Sequence, residues 1–114
     1  MKLLIAGSRS ILSFDLSKYI PDDTDLIITG GAQGIDSVAE KYADTHNISK
    51  LVVRPKYKVY GKAAPLMRNK DMIDLCDSVL VIWDGHSRGT KFTIDYSNKI
   101  KRPIRVINIS EIEI

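Results

Sequence analysis

The apolar run Leu26-Ile27-Ile28, followed at once by Thr29-Gly30-Gly31-Ala32-Gln33-Gly34, leaves few folds open to this chain. The run reads as a buried strand, and Ile35, Val38, Ala39, Tyr42 and Ala43 then recur at helical spacing. A strand that passes to a helix through a glycine turn opens a βα unit. Such a turn can also hold an anion. Glycines let the backbone approach a phosphate, and the unpaired N–H groups of the helix's first turn point at it. The macrodipole adds about half a positive charge at that end. The same glycines would equally serve a tight turn with no ligand.

The alternation continues along the chain. Lys2 to Ala6 reads as a first strand, with Gly7-Ser8-Arg9-Ser10 as its exit turn. Leu12, Leu16, Tyr19 and Ile20 share one helical face, which predicts an amphipathic helix closed by Pro21. Leu26 to Thr29 is the second strand, and the helix from about Gly34 runs to His46-Asn47, where Asn suits a C-terminal cap. Lys50 to Arg54 is a weaker, edge-like strand, and Pro55 to Lys62 a loop rich in Tyr, Lys and Gly. A third helix spans Ala63 to Leu75, and Ser78 to Trp83 is the most continuous apolar run, hence a central strand. Asp84 to Gly89 is a second glycine-bearing turn, Thr90 to Lys101 a fourth helix and Pro103 to Ile109 a final strand. The whole, 1–114, reads as a single three-layer α/β domain, its five-stranded, mainly parallel sheet flanked by helices.

With 114 residues there is room for one core and not for two. No apolar run approaches the roughly 20 residues needed to span a bilayer, so no membrane partner is expected. The opening apolar run breaks at Gly7-Ser8-Arg9, too early for a signal sequence. The single cysteine, Cys76, excludes an internal disulfide and fits a cytoplasmic setting. It sits among Met72, Ile73 and Leu75 and reads as a packed thiol. The net charge of +3 is modest, and the cations are spread among Asp and Glu. That balance suits anionic small ligands or weak nucleic-acid contact alike, and the absence of a concentrated basic stripe counts against a dedicated nucleic-acid binder.

Right-handed crossovers bring every βα turn to one edge of the sheet, and the ligand site belongs at the switch in strand order. Arg9 there can clamp a phosphate or carboxylate, with Gly7 and Ser8 beside it. Gln33 and Asp36 flank the second helix start, where Asp36 either complements the dipole or reads a hydroxyl. Arg68 shares a helical stripe with Ala64, Met72 and Leu75, so it needs either an internal carboxylate, with Asp71 at i+3 the nearest, or a ligand anion. Asn69 and Lys70 line the same entrance. Asp84, Gly85, Ser87, Arg88, Gly89 and Thr90 form a second anion-cradling turn, with Ser87 or Thr90 opening the next helix. Trp83 can stack on a base or pack in the core, and Tyr57 and Tyr60 can cover the site. His86 has no second His or Cys near it in sequence, so no metal site is expected, and no catalytic triad pattern supports it.

Four motifs stand in order: Thr29-Gly30-Gly31-Ala32-Gln33-Gly34-Ile35-Asp36, Tyr60-Gly61-Lys62-Ala63-Ala64, Met67-Arg68-Asn69-Lys70-Asp71-Met72, and Trp83-Asp84-Gly85-His86-Ser87-Arg88-Gly89-Thr90. On these the chain resembles the SLOG superfamily of Rossmann-like domains, in particular its small stand-alone YspA-like branch. The likeness runs from Leu4 to about Val106, and Gly30 to Asp36 also looks like the glycine motif of DprA-type proteins. It implies a Rossmann-like fold and binding of nucleotides or nucleotide-derived molecules, such as relatives of ADP-ribose. Relatives in the superfamily often dimerise through helices flanking the site. The LOG branch cleaves nucleoside monophosphates with a glutamate after its Gly-Thr pair. Arg68 and Gly89-Thr90 match that pattern, but the glutamate position is Thr93, which cannot serve as a general acid or base near neutral pH. Asp95 lies too far round the helix to replace it.

The expectation is therefore a cytoplasmic sensor or sequestering protein for a nucleotide-derived small molecule, needing no cofactor and open to homo-oligomerisation. The alternatives are a LOG-like hydrolase of an N-glycosidic or phosphoester bond, using Asp36, Asp71 or Asp84, and a DprA-like nucleic-acid binder.

Overall fold

Five short apolar runs become the strands β1 (Lys2–Gly7), β2 (Leu26–Thr29), β3 (Ser49–Val52), β4 (Ser78–Trp83) and β5 (Ile104–Asn108). In this computed structural model, which describes residues 1–112, they form one sheet in the order β3-β2-β1-β4-β5, with every pairing parallel. This is the five-stranded parallel sheet that the βα alternation predicts. β3 is an edge strand and β4 an interior one, as their apolar content indicated.

The helices are α1 (Ile35–Thr45), the single turn α2 (Tyr57–Tyr60), α3 (Ala64–Leu75), α4 (Arg88–Lys99) and the short α5 (Ile109–Ile112). None is long and apolar enough to cross a membrane among the described residues. Strand alternation divides the core between two faces. Leu3, Ile5, Ile27, Leu80 and Ile82 meet Ile35, Ala39 and Ala43 of α1 on one side. Leu4, Ile28, Val79 and Val81 meet Met72, Ile73 and Cys76 on the other, which α3 and α4 cover. The Cys76 thiol is buried and donates to the Ile73 carbonyl.

α1 ends as its sequence suggests, and α4 ends the same way without a sequence signal, two residues short of the expected Lys101. Asn47 takes a left-handed φ of 55° while Ile48 N–H reaches the Ala43 carbonyl, and Lys101 with Arg102 repeats the arrangement after α4.

Two expectations need correction. No helix forms over 12–20. Ile11 and Leu16 are buried against the α1 face, but Leu12 points to solvent, so the residue that would start the helical stripe does not join it. The Asp15 carboxylate instead accepts the backbone N–H and hydroxyl of Ser17, a local turn that competes with helix. The 55–62 stretch is not plain loop either: α2 leads into a 3-10 turn at Gly61–Ala63, and neither buries a residue.

Candidate functional site

The strand order reverses between β1 and β4, and the turns leaving these two strands are joined by one hydroxyl. Ser8 is buried, and its Oγ accepts the Asp84 N–H at 3.0 Å and the Ser87 hydroxyl at 2.9 Å. Asp84 organises its own turn. Oδ1 accepts the N–H groups of His86 and Ser87 and the Ser87 hydroxyl, while Oδ2 accepts the Ser10 hydroxyl. These donors, the His86 N–H foremost, hold the Asp84 carboxyl well below the usual carboxylate range. Ser87 is thus the N-cap residue of α4 by position, yet its hydroxyl is used elsewhere and no side chain caps the helix. The open first turn, Arg88 to Thr90, stands at the wall of the site.

The glycine turn after β2 is held from its carbonyl side. Arg68, only 8% exposed, reaches across from α3 and donates from Nη1 to the Gly30 carbonyl at 2.6 Å and the Val53 carbonyl at 3.3 Å. Its Nε donates to the side-chain oxygen of Asn69 at 2.8 Å. Arg54 approaches the Gly31 carbonyl, and the Ser37 hydroxyl donates to that of Ala32. Asp36, also buried, accepts the Ala32 N–H on Oδ2 at 3.1 Å. Burial pushes its carboxyl above the ordinary value of 3.8, against the pull of the Ala32 N–H and of the Arg68 charge. Burial likewise lowers the affinity of Arg68 for its proton, opposed first by Asp36.

Gly30 lies between these two side chains. A Cβ there would come within 2.6 Å of Arg68 Nη1 and 2.9 Å of Asp36 Oδ2. Gly34, with φ of 79°, passes so close under β1's exit turn that a Cβ would stand 2.5 Å from the Arg9 Cα.

A crevice of about 450 Å³ opens at this edge of the sheet, between the ends of β1 and β4 and the first turns of α3 and α4. Arg9, Arg68 and Arg88 line it together with two carboxylates, Asp36 and Asp84. The lining is net cationic.

Of the residues singled out in the sequence, Gly7, Asn69, Ser87, Gly89 and Thr90 also line the crevice. Ser8, Gly30 and Gly34 lie behind it as framework, and Gly31 sits against Val52 and Arg54 at the β3 exit. Gln33 is exposed and forms no part of the wall, and neither does Gly85, whose φ of 88° turns the chain after β4. Trp83 packs against the α3–α4 face and donates from Nε1 to the Ser87 carbonyl. Tyr60 and Asp71 are not in the crevice. They line a second cleft of about 390 Å³ on the β3 side of Arg68. Asp71 is exposed and forms no contact ion pair with Arg68, whose partners are carbonyls and Asn69.

Sequence reasoning passed over Ser10, Ala32 and Pro65 as wall residues. Small or apolar types carry no chemical signal, and only folding brings them to one place. Thr93 lines the crevice too, its hydroxyl turned back to the Gly89 carbonyl at 3.2 Å.

No family model, curated protein or solved structure matches the chain.

Proposed function

We propose that this chain is a binding protein, a sensor or sequestering module, for a nucleotide-derived anionic small molecule held in the β1–β4 crevice. The observation that carries the reading is the gathering of Arg9, Arg68 and Arg88 around a cavity beside an uncapped helix N-terminus. Guanidinium groups and free helix N–H donors recognise phosphate oxygens. The likeness to SLOG domains points the same way. Binding without turnover is favoured because Asp84 already accepts from the His86 and Ser87 N–H groups and the Ser10 hydroxyl, and Thr93 occupies the position of the LOG-type glutamate.

A second reading, hydrolysis, rests on Asp36. A buried carboxyl with a raised pKa in a crevice has the character of a general acid.

One experiment separates them. The purified protein is incubated with nucleotides, NAD, ADP-ribose and its cyclic isomers, freed of unbound material and heat-denatured, and the released species are identified by mass spectrometry. One intact species recovered supports binding. A free base or ribose phosphate accumulating in the flow-through supports turnover, and Asp36→Asn should then abolish it while retaining capture. Recovery of nothing removes the small-molecule reading and favours nucleic acid.

A further inference from the structure

Arg68 lies between two cavities. On one side is the β1–β4 crevice, and on the other the cleft between α3 and the β3 exit. The residue is more than nine-tenths buried and rigidly held: Nε is engaged by Asn69 and Nη1 by two backbone carbonyls. Among the described residues Nη2 has no hydrogen-bond partner, so one edge of a buried, pre-oriented guanidinium is left with two unused donors at the boundary between the cavities.

The second cleft has its own chemistry. Val53, Ala64 and Leu75 supply apolar wall, Tyr60 a half-exposed ring, and Asp71 and Asp74 acceptors. Its rim is more cationic than a whole-chain reading suggests. No acidic residue occurs between Asp44 and Asp71, and Arg54 and Lys56 stand at the cleft mouth. A planar heterocycle can lie against Tyr60 and the apolar wall, while ring amines or sugar hydroxyls donate to Asp71. Each cavity falls in the size range of a small-ligand pocket.

Resting on the crevice reading above, we propose that the ligand is two-headed: two nucleoside-like halves joined by a short anionic linker. One half occupies the β1–β4 crevice and the other the α3–β3 cleft, and the linker crosses Arg68 and accepts from Nη2. Arg68 then acts as the bridge between subsites, and the Tyr60–Asp71 cleft selects for the second half.

The test compares AMP and GMP with diadenosine and diguanosine diphosphates by calorimetry on the full chain. At mildly alkaline pH each monophosphate carries the same charge as its two-headed counterpart, so a gain in affinity cannot come from charge. The expected result is that one two-headed probe binds at least about tenfold more tightly than its monophosphate. Tyr60→Ala should bring that ratio toward one. Tyr60 is 40% exposed and outside both core clusters, so the variant is expected to fold, which its circular dichroism spectrum would check. Equal affinities for the monophosphate and its two-headed counterpart would overturn the bridge while leaving the crevice reading intact. A ratio that Tyr60→Ala leaves unchanged would also overturn it, by putting the second half elsewhere. Binding of none of the four probes would overturn the two-headed proposal, while the crevice reading would still be decided by the wider capture panel.

Discussion

The hydroxyl of Ser8 accepts the backbone N–H of Asp84 at 3.0 Å, tying together the exits of two strands 76 residues apart in sequence. A buried residue of the sheet edge thus serves the turns rather than the crevice wall. Ser8→Ala removes the acceptor of that N–H and of the Ser87 hydroxyl, and leaves a part-buried donor without its partner. A loss of about 1–3 kcal/mol is expected, read as a lower urea midpoint with an unchanged slope.

Glycine tolerance should split sharply by position. Gly34→Ala places a methyl against the backbone of Ser8 and Arg9 at a φ of 79°, and neither neighbour is a flexible side chain. A destabilisation of about 3 kcal/mol or more is expected. Gly61 also has a positive φ, 55°, but nothing lies within 4 Å of an added Cβ. Gly61→Ala should therefore lose less, about 1–3 kcal/mol from backbone strain alone. Equal losses in thermal melts of the two variants would contradict this account.

Stability should respond to pH in two opposite windows. Asp36 binds its proton more tightly folded than unfolded, so its contribution is greatest in acid and declines as pH rises from 3.8 through its raised folded value. Asp84 behaves in reverse. Its lowered folded value gives stability that is present above 3.8 and lost as pH falls below it. Asp36→Asn should flatten the decline above 3.8, and Asp84→Ala the loss below it. Denaturant titrations across acid and neutral pH would reveal both, and an Asp36→Asn profile that parallels the parent protein would refute the first.

Arg9 and Arg88 are exposed and line the crevice, so their role is separable from folding. Arg9→Ala and Arg88→Ala should each weaken the ligand recovered from the protein by about tenfold or more, near 1.4 kcal/mol. Their unfolding free energies should stay within about 0.5 kcal/mol of the parent. Arg68→Ala, by contrast, should lower both, because its guanidinium also holds the Gly30 and Val53 carbonyls.

The βα alternation, and hence a parallel sheet with its turns at one edge, was legible in the order of the residues alone. Apolar runs of strand length and 3.6-residue periodicity are local signals, and Asn47 at the α1 terminus is another. The same order brings Arg9, the 30–34 turn and the 84–90 turn to that edge, because chain direction in a parallel sheet fixes where βα turns lie. What each of them touches depends on how the folded elements pack. The 12–20 stretch has a helical pattern, yet the burial of Ile11 and Leu16 and the Asp15–Ser17 turn prevail over it. Arg68 has an acidic neighbour three residues on, yet its partner is the carbonyl of Gly30, 38 residues away. Tyr60 and Asp71 follow the same motifs but fall on the far side of that arginine. Periodicity reports which face of an element is buried. The partner that satisfies a buried polar group is set by contacts between residues distant in sequence, which no local pattern encodes.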